Sequence, residues 1–211
     1  MFTSRQARRT AARFRRNGLK GSAGDLVRGI EGAAARGSSV LEVGGGVGQI
    51  QVALLESGLA GSATNVELSS SWEGAGTALL AERGLEDRVQ RIQGDFVDRA
   101  ATLPKADVVV LHRVVCCYPD WEAMLTAAIG RANEVVAITL PSDRWWTRFG
   151  IRIGNMACRV SGRSFRGYVH PLAPMISLLQ RSGFAIVSET PGNIWRTLIA
   201  SARQRGRSLP N

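Results

Sequence analysis

Apolar residues follow two rhythms along this chain. Short continuous runs, such as Val40-Leu41, Ala106 to Leu111 and Val135 to Leu140, suit strands buried on both faces of a sheet. Between them, apolar positions recur at helical spacing, as at Ile50, Leu54 and Leu55. The pattern predicts a basic helix from Arg5 to about Arg16, with Ala7, Ala11, Ala12 and Phe14 as its few apolar positions and Asn17-Gly18 as its stop. A second helix is expected from Ser22 to Arg36, capped by Ser22 and turning Leu26, Val27 and Ile30 inward. Strands at 40–43, 63–67, 88–93, 106–111 and 134–140 then alternate with helices at 49–57, 71–83 and about 121–132. An amphipathic helix spans Asp143 to Val160, and a further one opens at His170-Pro171 and ends at Gly183. Ala185 to Val187 and Ile194 to Ala200 read as a closing hairpin around Pro191-Gly192-Asn193. Alternating strands and helices make this an α/β chain with a doubly wound, parallel sheet.

The first strand runs into Gly44-Gly45-Gly46-Val47-Gly48 and then a helix start. Glycines at 44, 46 and 48 let the backbone approach a ligand closely, and the open N–H groups of the helix favour a polar or anionic one. No Gly-Lys-Ser/Thr follows, which argues against a P-loop, and the spacing is not G-x-G-x-x-G. Glu42 precedes the turn; a carboxylate there is of little use to a pyrophosphate but can pair with an ammonium group.

This string resembles the first motif, acidic-x-Gly-x-Gly-x-Gly, of class I S-adenosylmethionine (SAM) dependent methyltransferases. The resemblance spans roughly residues 38–202 and implies a mostly parallel, seven-stranded Rossmann-like sheet whose last strand inserts antiparallel. It also implies N-terminal helices over the cofactor (1–36), a SAM-binding domain (37–202) with an acceptor cap at 143–170, and a basic tail (203–211). Gly44, Gly46 and Gly48 would lie under the methionine part of SAM, with Glu42 helping to hold its amino end. Glu67, at the end of the second strand, would accept hydrogen bonds from the ribose hydroxyls, with Leu68 beside it. In Gly94-Asp95-Phe96, Asp95 would meet the adenine amino group and Phe96 would pack near the ring or present its backbone N–H. The released product would be S-adenosylhomocysteine (SAH). The segment after the fifth strand also resembles magnesium-protoporphyrin O-methyltransferases, without thereby specifying a substrate.

Composition limits the partners. The chain has 211 residues and a net charge of +10. Nine Arg and Lys oppose two acids in residues 1–36, and Arg203, Arg205 and Arg207 add charge at the end. Residues 37–112 hold ten acids against five basic residues, whereas 113–181 hold nine Arg against four acids. An acidic cofactor half beside basic flanks suits a cationic sulfonium and an anionic acceptor. No run of about 18 apolar residues exists and the N-terminus lacks the pattern of a secretory signal, so a cytoplasmic protein is expected, with membrane contact at most peripheral. Cys116, Cys117 and Cys158 form no C-x-x-C, and with only His112 and His170 no metal site is expected.

The fourth strand delivers His112 and Arg113 to the carboxyl end of the sheet, where doubly wound folds bind ligands. His112, with an ordinary pKa near 6.5, is the candidate general base, or else a cofactor contact. Arg113 could pair with a carboxylate; Tyr118, Trp145, Arg152, Tyr168 and His170 complete the candidate acceptor set. In the 143–160 helix Trp145, Phe149, Met156 and Val160 share one face, and Arg148, Arg152, Asn155 and Arg159 the other. Three readings of it stay open: a lid over the acceptor, a membrane-surface contact, or an ordinary packed helix. The leading function is methyl transfer to a small organic acceptor, aromatic or anionic. An RNA methyltransferase is opposed by the absence of an Asn/Asp-Pro-Pro-aromatic motif, and a non-catalytic SAM-binding protein by the intact cofactor motifs.

Overall fold

A computed structural model describes residues 2–162 and 165–202, so the expected tail at 203–211 and two residues of the 143–170 insertion lie outside the described residues. In chain order the elements are α1 (Ser4–Asn17), α2 (Ser22–Glu31), β1 (Ser38–Val43), α3 (Gln49–Glu56), β2 (Ala60–Glu67), α4 (Glu73–Arg83), β3 (Val89–Gln93) and α5 (Phe96–Arg99). There follow β4 (Ala106–His112), α6 (Trp121–Arg131), β5 (Ala132–Pro141), α7 (Trp145–Val160), α8 (Leu172–Arg181), β6 (Phe184–Thr190) and β7 (Trp195–Ala202). The seven strands form one sheet in the order β3-β2-β1-β4-β5-β7-β6. β1 to β5 pair in parallel, and β7 inserts antiparallel between β5 and β6. The expected fold class is thus the one observed.

The continuous apolar runs are explained by a core on each face of the sheet. Val40, Val108, Val110 and Val135 pack with residues of α1 to α4, while Leu41, Val109, Leu111 and Val136 pack with residues of α6 and α8. Consecutive residues point to opposite faces of a strand, so a strand covered on both sides tolerates no polar alternation.

Two local readings differ from the sequence expectation, and one that the sequence leaves open is decided. Ser22 does not cap α2: Gly21 holds the cap position at φ 58°, and Ser22 is the first helical residue, 6% exposed. That helix also ends at Glu31 instead of Arg36, because the Gly32 N–H closes back on the Arg28 and Ile30 carbonyls. The sequence leaves open which face of α7 looks inward, and the aromatic face looks outward. Trp145, Phe149, Met156 and Val160 are exposed, and Thr147 is the buried residue of the helix.

Candidate active site

The carboxyl ends of β1, β2 and β4 and the Gly94-Asp95 turn after β3 open into one cavity of about 430 Å³. That volume falls within the range of small-molecule sites. Its floor is the glycine turn. Gly44 has φ 63°, a left-handed conformation that L side chains resist, and a Cβ there would sit 2.7 Å from Val114 Cγ2. Gly45, which the alternating motif leaves unassigned, is equally constrained: a Cβ would meet Asn65 Nδ2 at 2.4 Å and Glu42 Cδ at 2.7 Å.

The two cavity-facing carboxylates of the expected cofactor set are held by backbone. Glu67 accepts the Gly46 N–H on Oε2 at 2.9 Å and the Ser69 N–H on Oε1 at 2.8 Å, tying the glycine turn to the end of β2. Asp95 caps α5 by accepting the Val97 N–H at 2.8 Å and lies within reach of the Tyr118 hydroxyl at 3.5 Å. Both oxygens of Glu67 and Oδ2 of Asp95 retain lone pairs for a ligand donor. Gly44, Gly46, Glu67, Leu68, Asp95, Phe96, His112, Arg113 and Tyr118 all line the cavity, whereas Gly48 caps α3 just behind it.

Glu42 lies elsewhere. It is 1% exposed, sits beneath the turn, and accepts the Gln51 N–H at 3.2 Å. Burial pushes its pKa up to about 8, outweighing the lowering effect of that bond, so the carboxyl is neutral at pH 7 in the cofactor-free protein. Its folded pKa exceeds the ordinary 4.5, so stability present below pH 4.5 is lost as pH rises towards 8. The amides of Gln51 and Asn65 beside it lack hydrogen-bond partners. Glu42→Gln should therefore flatten the fall in unfolding free energy between pH 5 and pH 8, read by urea denaturation. Identical pH slopes in the two proteins would remove Glu42 as the source.

At the end of β4, Ser22 joins His112 to Arg113. The Arg113 guanidinium donates to Ser22 Oγ from Nε and Nη2 at 3.2 and 2.9 Å, and Oγ lies 3.2 Å from His112 Nε2. The serine oxygen already accepts from arginine, so its proton points at Nε2, and that nitrogen acts as an acceptor. Burial and the Arg113 charge lower the His112 pKa to about 3. The imidazole is thus neutral at pH 7 but a much weaker base than the sequence suggests. Arg113 is the one non-glycine residue at positive φ (56°) among the described residues, its guanidinium stacks 4.4 Å above the Trp195 ring, and no carboxylate among the described residues pairs with it.

The remaining acceptor candidates do not line this cavity. Tyr168 stacks on His170, and His170 Nε2 lies 3.1 and 2.9 Å from the Val115 and Tyr118 carbonyls, bracing the loop that carries Arg113 to Tyr118. Trp145 and Arg152 are on the outer part of α7. Sequence reasoning missed Phe2, Thr10, Trp72 and Cys117 on the wall and Ser22 behind His112. The aromatic Trp72, just past the β2 carboxylate, offered a signal; Ser22 offered none, since its partner is 90 residues away.

Residues 30–129, just under half of the chain, match the family model of the O-methyltransferase domain. No curated protein sequence matches the chain. Among solved structures, magnesium protoporphyrin IX methyltransferase from Synechocystis PCC 6803 with bound SAH is similar at 17% identity and a TM-score of 0.67, over 96% of this chain and 89% of that one. An O-methyltransferase family protein from Burkholderia thailandensis is similar at 17% identity and a TM-score of 0.69, over 87% of this chain but only 56% of that one. The O-methyltransferase NcsB1 of neocarzinostatin biosynthesis, in complex with SAH and 1,4-dihydroxy-2-naphthoic acid, shares 23% identity at a TM-score of 0.59, over 86% of this chain and 57% of that one. The strand order and the domain match agree: the chain has the fold of class I methyltransferases and is similar over residues 30–129 to the O-methyltransferase domain.

Proposed function

We propose that the protein methylates a carboxylate of a small aromatic acid. SAM supplies an electrophilic methyl group on its sulfonium; the chain's own residues have to hold cofactor and acceptor in line and exclude water. The cavity fits that cofactor: a close-packed glycine turn as its floor, with no room for a Cβ at Gly44 or Gly45, backbone-braced Glu67 and Asp95 for hydroxyl and amino donors, and aromatic Trp72 and Phe96 for an adenine ring. Glu42, below the floor, would act on the methionine amino group only through the turn.

The observation that carries the acceptor class is the pairing of an unneutralised Arg113 with a histidine that barely titrates. A phenol or alcohol needs a base with a pKa near the working pH. His112, with a pKa of about 3, is poor at that task. A carboxylate arrives already ionised, needs no proton removed, and makes charge-assisted hydrogen bonds to a guanidinium. Phe2, Tyr118 and Phe165 supply an apolar wall for the acceptor's ring. NcsB1 holds an aromatic acid, which is in keeping with such an acceptor.

Residues 1–36 act as the lid: α1 packs on α4, the Phe2 ring lies 5.2 Å from Trp72 and 6.0 Å from Phe165, and the Ser71 hydroxyl donates to the Phe2 carbonyl. We assign the acceptor-cap role within 143–170 to the stretch around Phe165 instead of α7. The working compartment is the cytoplasm, where Cys116, Cys117 and Cys158 stay reduced. Among the described residues no helix is long and apolar enough to cross a membrane.

The test is label transfer from methyl-labelled SAM to paired aromatic acids and phenols. Label should appear as a base-labile ester on the acids. Its rate should show no acid limb near pH 6.5, because His112 stays unprotonated down to about pH 3. Transfer to the phenols alone, with an inflection near 6.5, would overturn the carboxylate reading.

A further inference from the structure

The outer face of α7 is unusual for a protein surface. Trp145, Phe149, Ile153, Met156 and Val160 are 73, 57, 54, 61 and 82% exposed and follow one another at steps of three or four residues. At about 100° per residue they occupy one continuous stripe about 80° wide along a helix roughly 24 Å long. The opposite side is what fastens the helix to the fold: Thr147 is buried, and Asn155 exchanges hydrogen bonds with both backbone groups of Gly167. Trp146, at the stripe's border, donates its indole N–H to the Asn193 carbonyl at 3.2 Å. The stripe therefore has no partner outside α7 among the described residues, and its orientation is fixed by polar anchors behind it.

Charge decides what covers it. The helix contains no acidic residue, and Arg148, Arg152 and Arg159 run along one edge of the stripe. Asp143 pairs with Arg148, but Arg152 and Arg159 make no hydrogen bond or ion pair with any described residue. A second copy of this chain seated on the stripe would bring two such arginine rows together, in a protein already carrying a net charge of +10. An anionic bilayer answers both features: acyl chains take the apolar stripe and lipid headgroups take the guanidinium groups.

We propose that α7 is an interfacial helix that docks the protein on anionic lipid bilayers. It lies flat in the headgroup region and does not insert across it. Phe165, only five residues past α7, lines the cavity and is itself 38% exposed, so docking brings one wall of the site to the membrane surface. The proposal is independent of the acceptor assignment, because its readout is binding and not turnover.

The experiment is co-sedimentation of the full chain with vesicles of phosphatidylcholine alone or with about one-third phosphatidylglycerol. The wild-type protein should partition onto the anionic vesicles and far less onto the neutral ones. Phe149→Ser combined with Ile153→Ser and Val160→Ser should lower that partition about tenfold or more, with SAH affinity unchanged by calorimetry as the check that the fold survives. Arg152→Gln with Arg159→Gln should lower it several-fold and reduce its salt dependence. Equal binding of the serine variant and the wild type would mean that the basic N-terminus alone makes the contact, and would overturn the proposal. So would failure of the wild type to bind either vesicle, or a wild-type dimer in light scattering that the serine variant converts to monomer.

Discussion

Exchange of Arg113 for leucine should lower kcat/KM for a carboxylate acceptor by about 10²-fold, while SAH binds nearly as before. The expectation rests on the arginine's surroundings. Its Nε and Nη2 are committed to Ser22, its flat face to Trp195, and no carboxylate among the described residues neutralises it, so the charge is left for a ligand. Loss of a charge-assisted hydrogen bond costs about 1.5–3 kcal/mol, which corresponds to roughly 10- to 150-fold. The left-handed backbone at φ 56° also costs of order 1 kcal/mol, a strain that persists where the surroundings over-determine it. Lysine restores the charge but neither the fork that grips Ser22 nor the stacking on Trp195, so Arg113→Lys should recover only part of the loss. The effect should fall mainly on the acceptor's KM. A leucine variant with wild-type kinetics towards aromatic acids would remove Arg113 as the acceptor's anchor.

The fold was legible because its signals are local. β1, β4 and β5 are short apolar runs, the carboxyl ends of β1, β2 and β3 carry a glycine or an acid, and the spacing between Glu42, Glu67 and Asp95 reports the strand-helix units directly. What escaped was set by contacts between distant segments. Ser22 looked like a helix cap because serine before an apolar run usually is one, yet Gly21 takes that place and the hydroxyl reaches His112 instead. The resulting change in His112, from an ordinary base to one with a pKa of about 3, depends on burial and on the neighbouring Arg113 charge, neither of which periodicity reveals. α7 has the same lesson in reverse. Its amphipathic pattern is plain in the sequence, but periodicity fixes which residues share a face and not which face looks inward; Thr147 settles that by its burial, and Asn155 and Trp146 by their hydrogen bonds. Tyr168 and His170, expected on the acceptor, brace the loop above it.

Glu67→Ala should weaken SAH binding by about 1.5–3 kcal/mol, a loss of one to two orders of magnitude in affinity, measured by calorimetry. The carboxylate has two tasks that the variant removes together. On the proposed placement of SAM it offers free lone pairs to a pair of vicinal hydroxyls, and it ties the Gly46 and Ser69 N–H groups to the end of β2 at 2.9 and 2.8 Å. Glu67→Gln separates them. The amide keeps one acceptor oxygen but turns an NH₂ group towards one of the two backbone N–H donors, so the turn should loosen and the hydroxyls should lose a charged partner without a void being left. Thermal unfolding without cofactor then reads the bracing, and the affinity for SAH reads both. If ribose recognition is the main task, the two variants should lose similar affinity while differing in melting temperature. If bracing is the main task, affinity should follow melting temperature through the series. Wild-type affinity in both variants would mean that the cofactor's hydroxyls are held elsewhere, and the placement of SAM along the β2 end of the cavity would have to be abandoned.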